Sequence, residues 1–95
     1  MSGHTYVMVT TSERGVYGGW LLENAAPARV VLGDARMCVY WPPETRGVVS
    51  LAEAGPGERA RVSKAAPQLT LFEVTAIAEC TDQARQRWEA APWGR

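Results

Sequence analysis

Two β-branched, aromatic runs separated by a three-residue connection constrain this chain more than any other feature. Tyr6-Val7-Met8-Val9-Thr10-Thr11-Ser12 is followed by Glu13-Arg14-Gly15 and then by Val16-Tyr17-Gly18-Gly19-Trp20-Leu21-Leu22-Glu23. Such runs fit a pleated surface better than a helix, and so short a connection pairs them as an antiparallel hairpin. Gly15 is expected to supply the positive φ of the turn. The adjacent Gly18 and Gly19 mark a bulge or a close backbone approach.

The rest of the chain extends the pattern. Asn24-Ala25-Ala26-Pro27 ends the second strand, Arg29 to Leu32 reads as a third, and Gly33-Asp34-Ala35 reads as a turn into a fourth, Arg36 to Trp41, stopped by Pro42-Pro43. Ser50 to Ala54 has the form of a short helix, with Ser50 as N-cap, Glu53 as its capping-box partner and Gly55 as its stop. Arg61-Val62-Ser63 reads as a brief strand. Leu69 to Cys80 is the longest strand signal: Leu69 and Leu71 share one parity and Phe72, Val74, Ala76 and Ala78 the other, so a bulge is predicted near Phe72 and Glu73. Thr81 caps a last helix running to about Ala90, with Asp82 in its first turn, and the tail from Pro92 to Arg95 is expected to fray. The fold class that follows is α+β, mostly β: a small antiparallel sheet, either a meander or a partly open barrel, with one short helix and a C-terminal helix. One domain spans residues 1–95, with its core between about 6 and 90.

A chain of 95 residues buries a modest share of its surface, so self-association into a homo-oligomer, most simply a tetramer, is expected to add stability. Ten basic residues balance ten acidic ones. That balance argues against DNA or RNA as ligand, because polyanion binders carry a basic excess, while a small anion needs only one or two arginines. Lys64 is the single lysine beside nine arginines. Either selection for bidentate donors or a GC-rich genome, signalled also by abundant Ala, Gly and Pro, accounts for the skew. Cys38 and Cys80 are far apart with no metal or redox spacing, and read as buried thiols. No apolar stretch reaches membrane-spanning length and no secretory leader pattern is present, so a cytosolic protein is expected.

Catalytic chemistry is thin. His4 is the sole histidine and stands beside a terminus, and the acidic residues are scattered singly. No base, nucleophile or metal set is spaced for work, so neither turnover nor a cofactor is expected. The glycines of Gly15 to Gly19 precede a strand and lack the lysine of a phosphate loop. The cluster with most chemical content is Arg36 with Tyr40 and Trp41, joined by Tyr17 and Trp20 on the hairpin. Strand alternation sends Arg36, Cys38 and Tyr40 to one face and Met37, Val39 and Trp41 to the other, with Tyr17 opposite Trp20. If one face is core, the other joins a ring to an arginine, the chemistry that stacks a base and neutralises a phosphate. Plain packing, with aromatics filling the core under an arginine stem, uses the same residues.

The succession Tyr6-Val7-Met8-Val9, Gly15-Val16-Tyr17-x-Gly19-x-Leu21, Val30-Val31-Leu32-x-Asp34-Ala35-Arg36, Tyr40-Trp41, Ser50-Leu51-Ala52 and Leu69-Thr70-Leu71-x-Glu73-Val74-x-x-Ile77-x-x-Cys80-Thr81 resembles a widespread family of short bacteriophage proteins, over roughly residues 6 to 84. It is also similar to the anti-CBASS sponge proteins, homo-oligomers that sequester the cyclic nucleotide signals of bacterial antiphage defence. The Pro-rich segment Pro42 to Gly47, and Cys38 where a bulkier residue is expected, depart from that pattern. The resemblance implies a protein of the infected host's cytoplasm that binds a cyclic dinucleotide such as cGAMP and does not cleave it. Tyr17, Trp20, Tyr40 and Trp41 would be stacking platforms, Arg36, Arg61 and Lys64 cations, and Ser50 a helix-end hydroxyl toward a phosphate. Arg36 ranks first, so Arg36→Ala is expected to stay folded and lose affinity. The competing function is a phage accessory or adaptor protein that grips a protein partner with the same aromatic surface.

Overall fold

Strand β1 (Tyr6–Thr11) is buried on both sides, and the molecule is organised around it. Tyr6 and Met8 point into one apolar cluster and Val7 and Val9 into another, which is why this run is apolar at consecutive rather than alternate positions. The computed structural model describes residues 3–41 and 47–92, so most of the Pro42 to Gly47 segment and the tail beyond Pro92 lie outside the described residues.

The fold is α+β, mostly β, in an antiparallel six-stranded sheet. β2 (Val16–Ala25) pairs with β1 as the hairpin predicts. Arg14, at φ 64°, takes the left-handed position of the turn in place of Gly15. β3 (Arg29–Tyr40) is continuous where two strands and a turn are expected. Asp34 sits at φ 47° within it, opposite the Gly18 to Trp20 stretch of β2 where the register shifts. Gly33-Asp34-Ala35 is therefore a bulge: aspartate tolerates the left-handed region, and the strand bends without reversing.

The far edge of β3 is shared. Its first half pairs with β5 (Ala66–Phe72) and its end with the two-residue β4 (Arg61–Val62). β6 (Val74–Glu79) pairs instead with β1, on the opposite edge of the sheet. The parity change at Phe72 and Glu73 is an elbow rather than a bulge within one strand. Glu73, at φ 54°, turns the chain from one edge to the other, where its carbonyl accepts from the Ser12 amide and the Val74 amide donates to the Pro27 carbonyl. The sheet curls accordingly, and its inner face holds Val7, Val9, Val30, Leu32, Ala35, Leu71 and Val74.

Two helices cover the other face. α1 (Ser50–Glu53) is short and has Val49 at its N-cap with no side-chain cap, so the expected capping box is absent; Gly55 does end it, at φ 77°. α2 (Asp82–Ala90) begins as expected, with the Thr81 side chain accepting from the Ala84 amide at 3.0 Å. Its Trp88 is wholly buried on the sheet, and its indole N–H donates to the Leu51 carbonyl at 2.9 Å. Gly18 lies beneath the ring: a Cβ there would stand 2.5 Å from Trp88 Cδ2. No described helix is long and apolar enough to cross a membrane.

Candidate ligand-binding groove

Among the described residues both faces of the sheet carry packed apolar clusters, one inside its curl and one under the helices. The aromatic and basic residues singled out in the sequence are accordingly dispersed. Tyr17 is half-buried against the inner cluster, and its ring lies over Gly15, whose added Cβ would meet Tyr17 Cε1 at 2.4 Å. Trp20 packs beneath the helices, edge-on to Tyr6 with ring centroids 5.2 Å apart, and Arg85 lies 5.8 Å from its ring centre. Tyr17 and Trp20 do face opposite sides, but both sides are packed.

The placement of Arg36 corrects the leading expectation. The side chain is 7% exposed and enters the helix-covered face with Cys38. Its Nε donates to the Ser63 carbonyl at 2.7 Å, and Nη1 donates to the carbonyls of Trp88 and Glu89 at 2.8 and 3.2 Å. Those last two carbonyls belong to the final turn of α2, where a cation meets orphan acceptors at the negative end of the helix dipole. Burial lowers the guanidinium pKa from its ordinary value. Arg36 thus ties β3, the residue after β4 and α2 together.

Tyr40 does not share a face with Arg36. The register shifts between Cys38 and Tyr40, and beyond that irregularity Tyr40 stands 44% exposed. Its Cα partner across the ladder is Arg61. Tyr40, Glu58, Arg59, Ala60 and Arg61 line a groove of about 510 Å³, within the range of small-ligand clefts. Among the described lining residues, two are arginines and one is a glutamate. Of the eight candidate residues, the structure brings only Tyr40 and Arg61 together here.

The others fall elsewhere. Trp41 borders a separate apolar hollow with Arg14, Val16 and Val48. Ser50 is the first helical residue of α1 rather than its cap, and its carbonyl receives the Ala54 amide at 2.8 Å. Lys64 is exposed past β4 and is not among the groove residues. Arg59 and Glu58 went unpredicted. The sequence signal was present: Glu58-Arg59-x-Arg61 follows the Pro56-Gly57 loop and enters a strand, so charges at the loop end are carried into a sheet edge.

Reactive groups are muted by burial. The Cys38 thiol is pushed up to about 11 and the Cys80 thiol to about 12 by desolvation, so both stay protonated near neutral pH. His4 Nδ1 lies 3.1 Å from the Leu21 carbonyl. Tyr6 Oη is buried without a hydrogen-bond partner among the described residues, and desolvation raises its pKa.

These features define a small β-rich domain with an aromatic groove at a sheet edge lined by Tyr40, Arg59 and Arg61. The family follows from the sequence match: residues 4–88 fit the model of the Domain of unknown function (DUF6948), and the chain belongs to that family. No curated protein and no solved structure matches it.

Proposed function

We propose that this protein captures a small cyclic nucleotide in the Tyr40 groove and holds it without cleaving it, acting as a sponge for cyclic dinucleotide signals in the cytoplasm of an infected bacterium. One observation carries the reading: an exposed ring and two arginine residues line the same groove, so a base can stack on Tyr40 while Arg59 and Arg61 meet phosphate. Arg36 has no part in it.

A second reading has its own observation. Val39, Val49 and Phe72 are 63%, 69% and 63% exposed, apolar side chains that a protein partner could cover. Thermal denaturation against a panel of cyclic mono- and dinucleotides separates the two. Capture predicts that one compound raises Tm by several degrees through binding to the folded state alone, and that it is recovered intact on chromatography after heating. A flat panel removes the nucleotide reading and leaves the adaptor.

A further inference from the structure

The turn that leads into the Tyr40 groove carries a charge that anion binding alone does not explain. The Ala60 amide donates to the Gly57 carbonyl at 3.1 Å, closing a β-turn with Glu58 and Arg59 at its corners. Ala60 is buried and anchors the turn, and Arg61 follows directly as the Cα partner of Tyr40. Glu58 is thereby held, exposed, on the wall of the groove. It also borders an adjoining groove that Arg87 lines, where Arg87 Nη1 donates to the Ala54 carbonyl at 3.0 Å. Arg59, Arg61 and Arg87 share these grooves with Glu58, yet none pairs with it, and among the described residues its carboxylate has no polar partner. A carboxylate beside a phosphate opposes binding by like-charge repulsion unless it accepts from another part of the ligand.

We infer that Glu58 reads the base stacked on Tyr40 and that this base is guanine, an assignment that rests on nucleotide capture in the same groove. A carboxylate offers acceptors only, two oxygens side by side. Guanine presents two adjacent donors on its Watson–Crick edge, N1–H and the N2 amino group, and no other common base does. Glu58 accepts both at once while the ring rests on Tyr40 and Arg61 meets the phosphate. Adenine sets the N1 lone pair beside its N6 amino group, so one carboxylate oxygen would face a second acceptor. Uracil flanks its single N3–H with two carbonyls, and cytosine sets its N4 amino group beside the N3 lone pair, so each satisfies one oxygen at most.

Calorimetric titration with c-di-GMP and with c-di-AMP tests the assignment, because the two compounds share one phosphodiester ring and differ in the base. The wild type is expected to bind the guanine compound roughly ten- to a hundredfold more tightly. Glu58→Gln changes an exposed side chain, so Tm is expected to hold. The preference is expected to invert, since a carboxamide donates to adenine N1 while accepting from its N6 amino group. A wild type that binds c-di-AMP as tightly as c-di-GMP, or more tightly, overturns the inference. So does a Glu58→Gln protein that keeps the wild-type ratio, and capture survives either result. A wild type that binds neither compound overturns the inference as well, and the wider nucleotide panel then decides capture on its own: another compound that raises Tm preserves it, and a flat panel removes it.

Discussion

Arg36 and Arg61 stand on adjacent strands, and their surroundings differ in every respect that matters. Arg36 lies under α2 at 7% exposure, with three backbone carbonyls on its donors. Arg61 is exposed, two residues after Arg59, on a two-residue strand opposite a solvent-facing tyrosine. The same side chain is buried scaffold in one place and solvent-exposed in the other. What separates them is access to main-chain acceptors: a helix that ends over the sheet offers carbonyls in a desolvated space, where a planar fork of donors is the best match. Arg61 makes no such hydrogen bond among the described residues, and its side chain stands exposed.

The sharpest way to break this contrast is Arg36→Ala. Removing the guanidinium leaves the carbonyls of Ser63, Trp88 and Glu89 without their charged donor in a site that is buried at Trp88 and partly buried at the other two. The expected loss is roughly 3 kcal/mol, which for a domain of this size lowers Tm by about 12 to 24 °C. Arg36→Lys should recover only part of it, because an ammonium cannot fork between β4's neighbour and the helix end. Differential scanning calorimetry decides. A variant that melts with the wild type would mean that the α2 carbonyls do not depend on Arg36.

The same covered region has a second weak point, independent of charge. Gly18 supports the face of Trp88, and a methyl group there would lie 2.5 to 2.8 Å from three ring carbons. The indole cannot slide away freely, since its N–H is held by the Leu51 carbonyl. Gly18→Ala is expected to cost about 2 kcal/mol by overpacking, read as a lower urea midpoint with an unchanged slope. An unshifted midpoint would show that α2 docks more loosely than the buried ring implies.

Local features of the fold were legible and non-local ones were not. The hairpin, the Thr81 cap and the brief Arg61 strand were readable because each is decided by a few neighbouring residues. Asp34 reads as a turn because a left-handed aspartate serves a turn and a bulge equally; only the pairing of β2 and β5 on either side of β3 keeps the strand continuous. The parity change at Glu73 was correctly located, yet that the chain there crosses to the other edge depends on β1, far off in sequence. Arg36 followed the same logic. Alternation put it on a face, but that α2 covers this face comes from Trp88, in a segment whose charged and polar residues advertise a solvent-exposed helix. Tyr40 and Arg61 were legible by residue type, while their meeting depends on the ladder between β3 and β4.

The smallest expected effect on stability belongs to Arg61→Ala, and its smallness is the point. The side chain is exposed, no described hydrogen bond or ion pair depends on it, and substitutions at such positions change stability by no more than about 0.5 kcal/mol. Tm should therefore stay within about 4 °C of the wild type. Affinity is another matter. If the groove holds a phosphate, losing one charge-assisted contact should cost about 1.5 to 3 kcal/mol, or roughly ten- to a hundredfold in Kd. Tyr40→Ala should behave alike, losing about 1 to 3 kcal/mol of base stacking with its melting profile unmoved. Calorimetric titration of the nucleotide that raises Tm, run beside the melting curves, reads both quantities on one sample. A Tm drop in Arg61→Ala approaching that of Arg36→Ala would erase the distinction between scaffold and surface. An unchanged Kd in both groove variants would move the nucleotide away from β4.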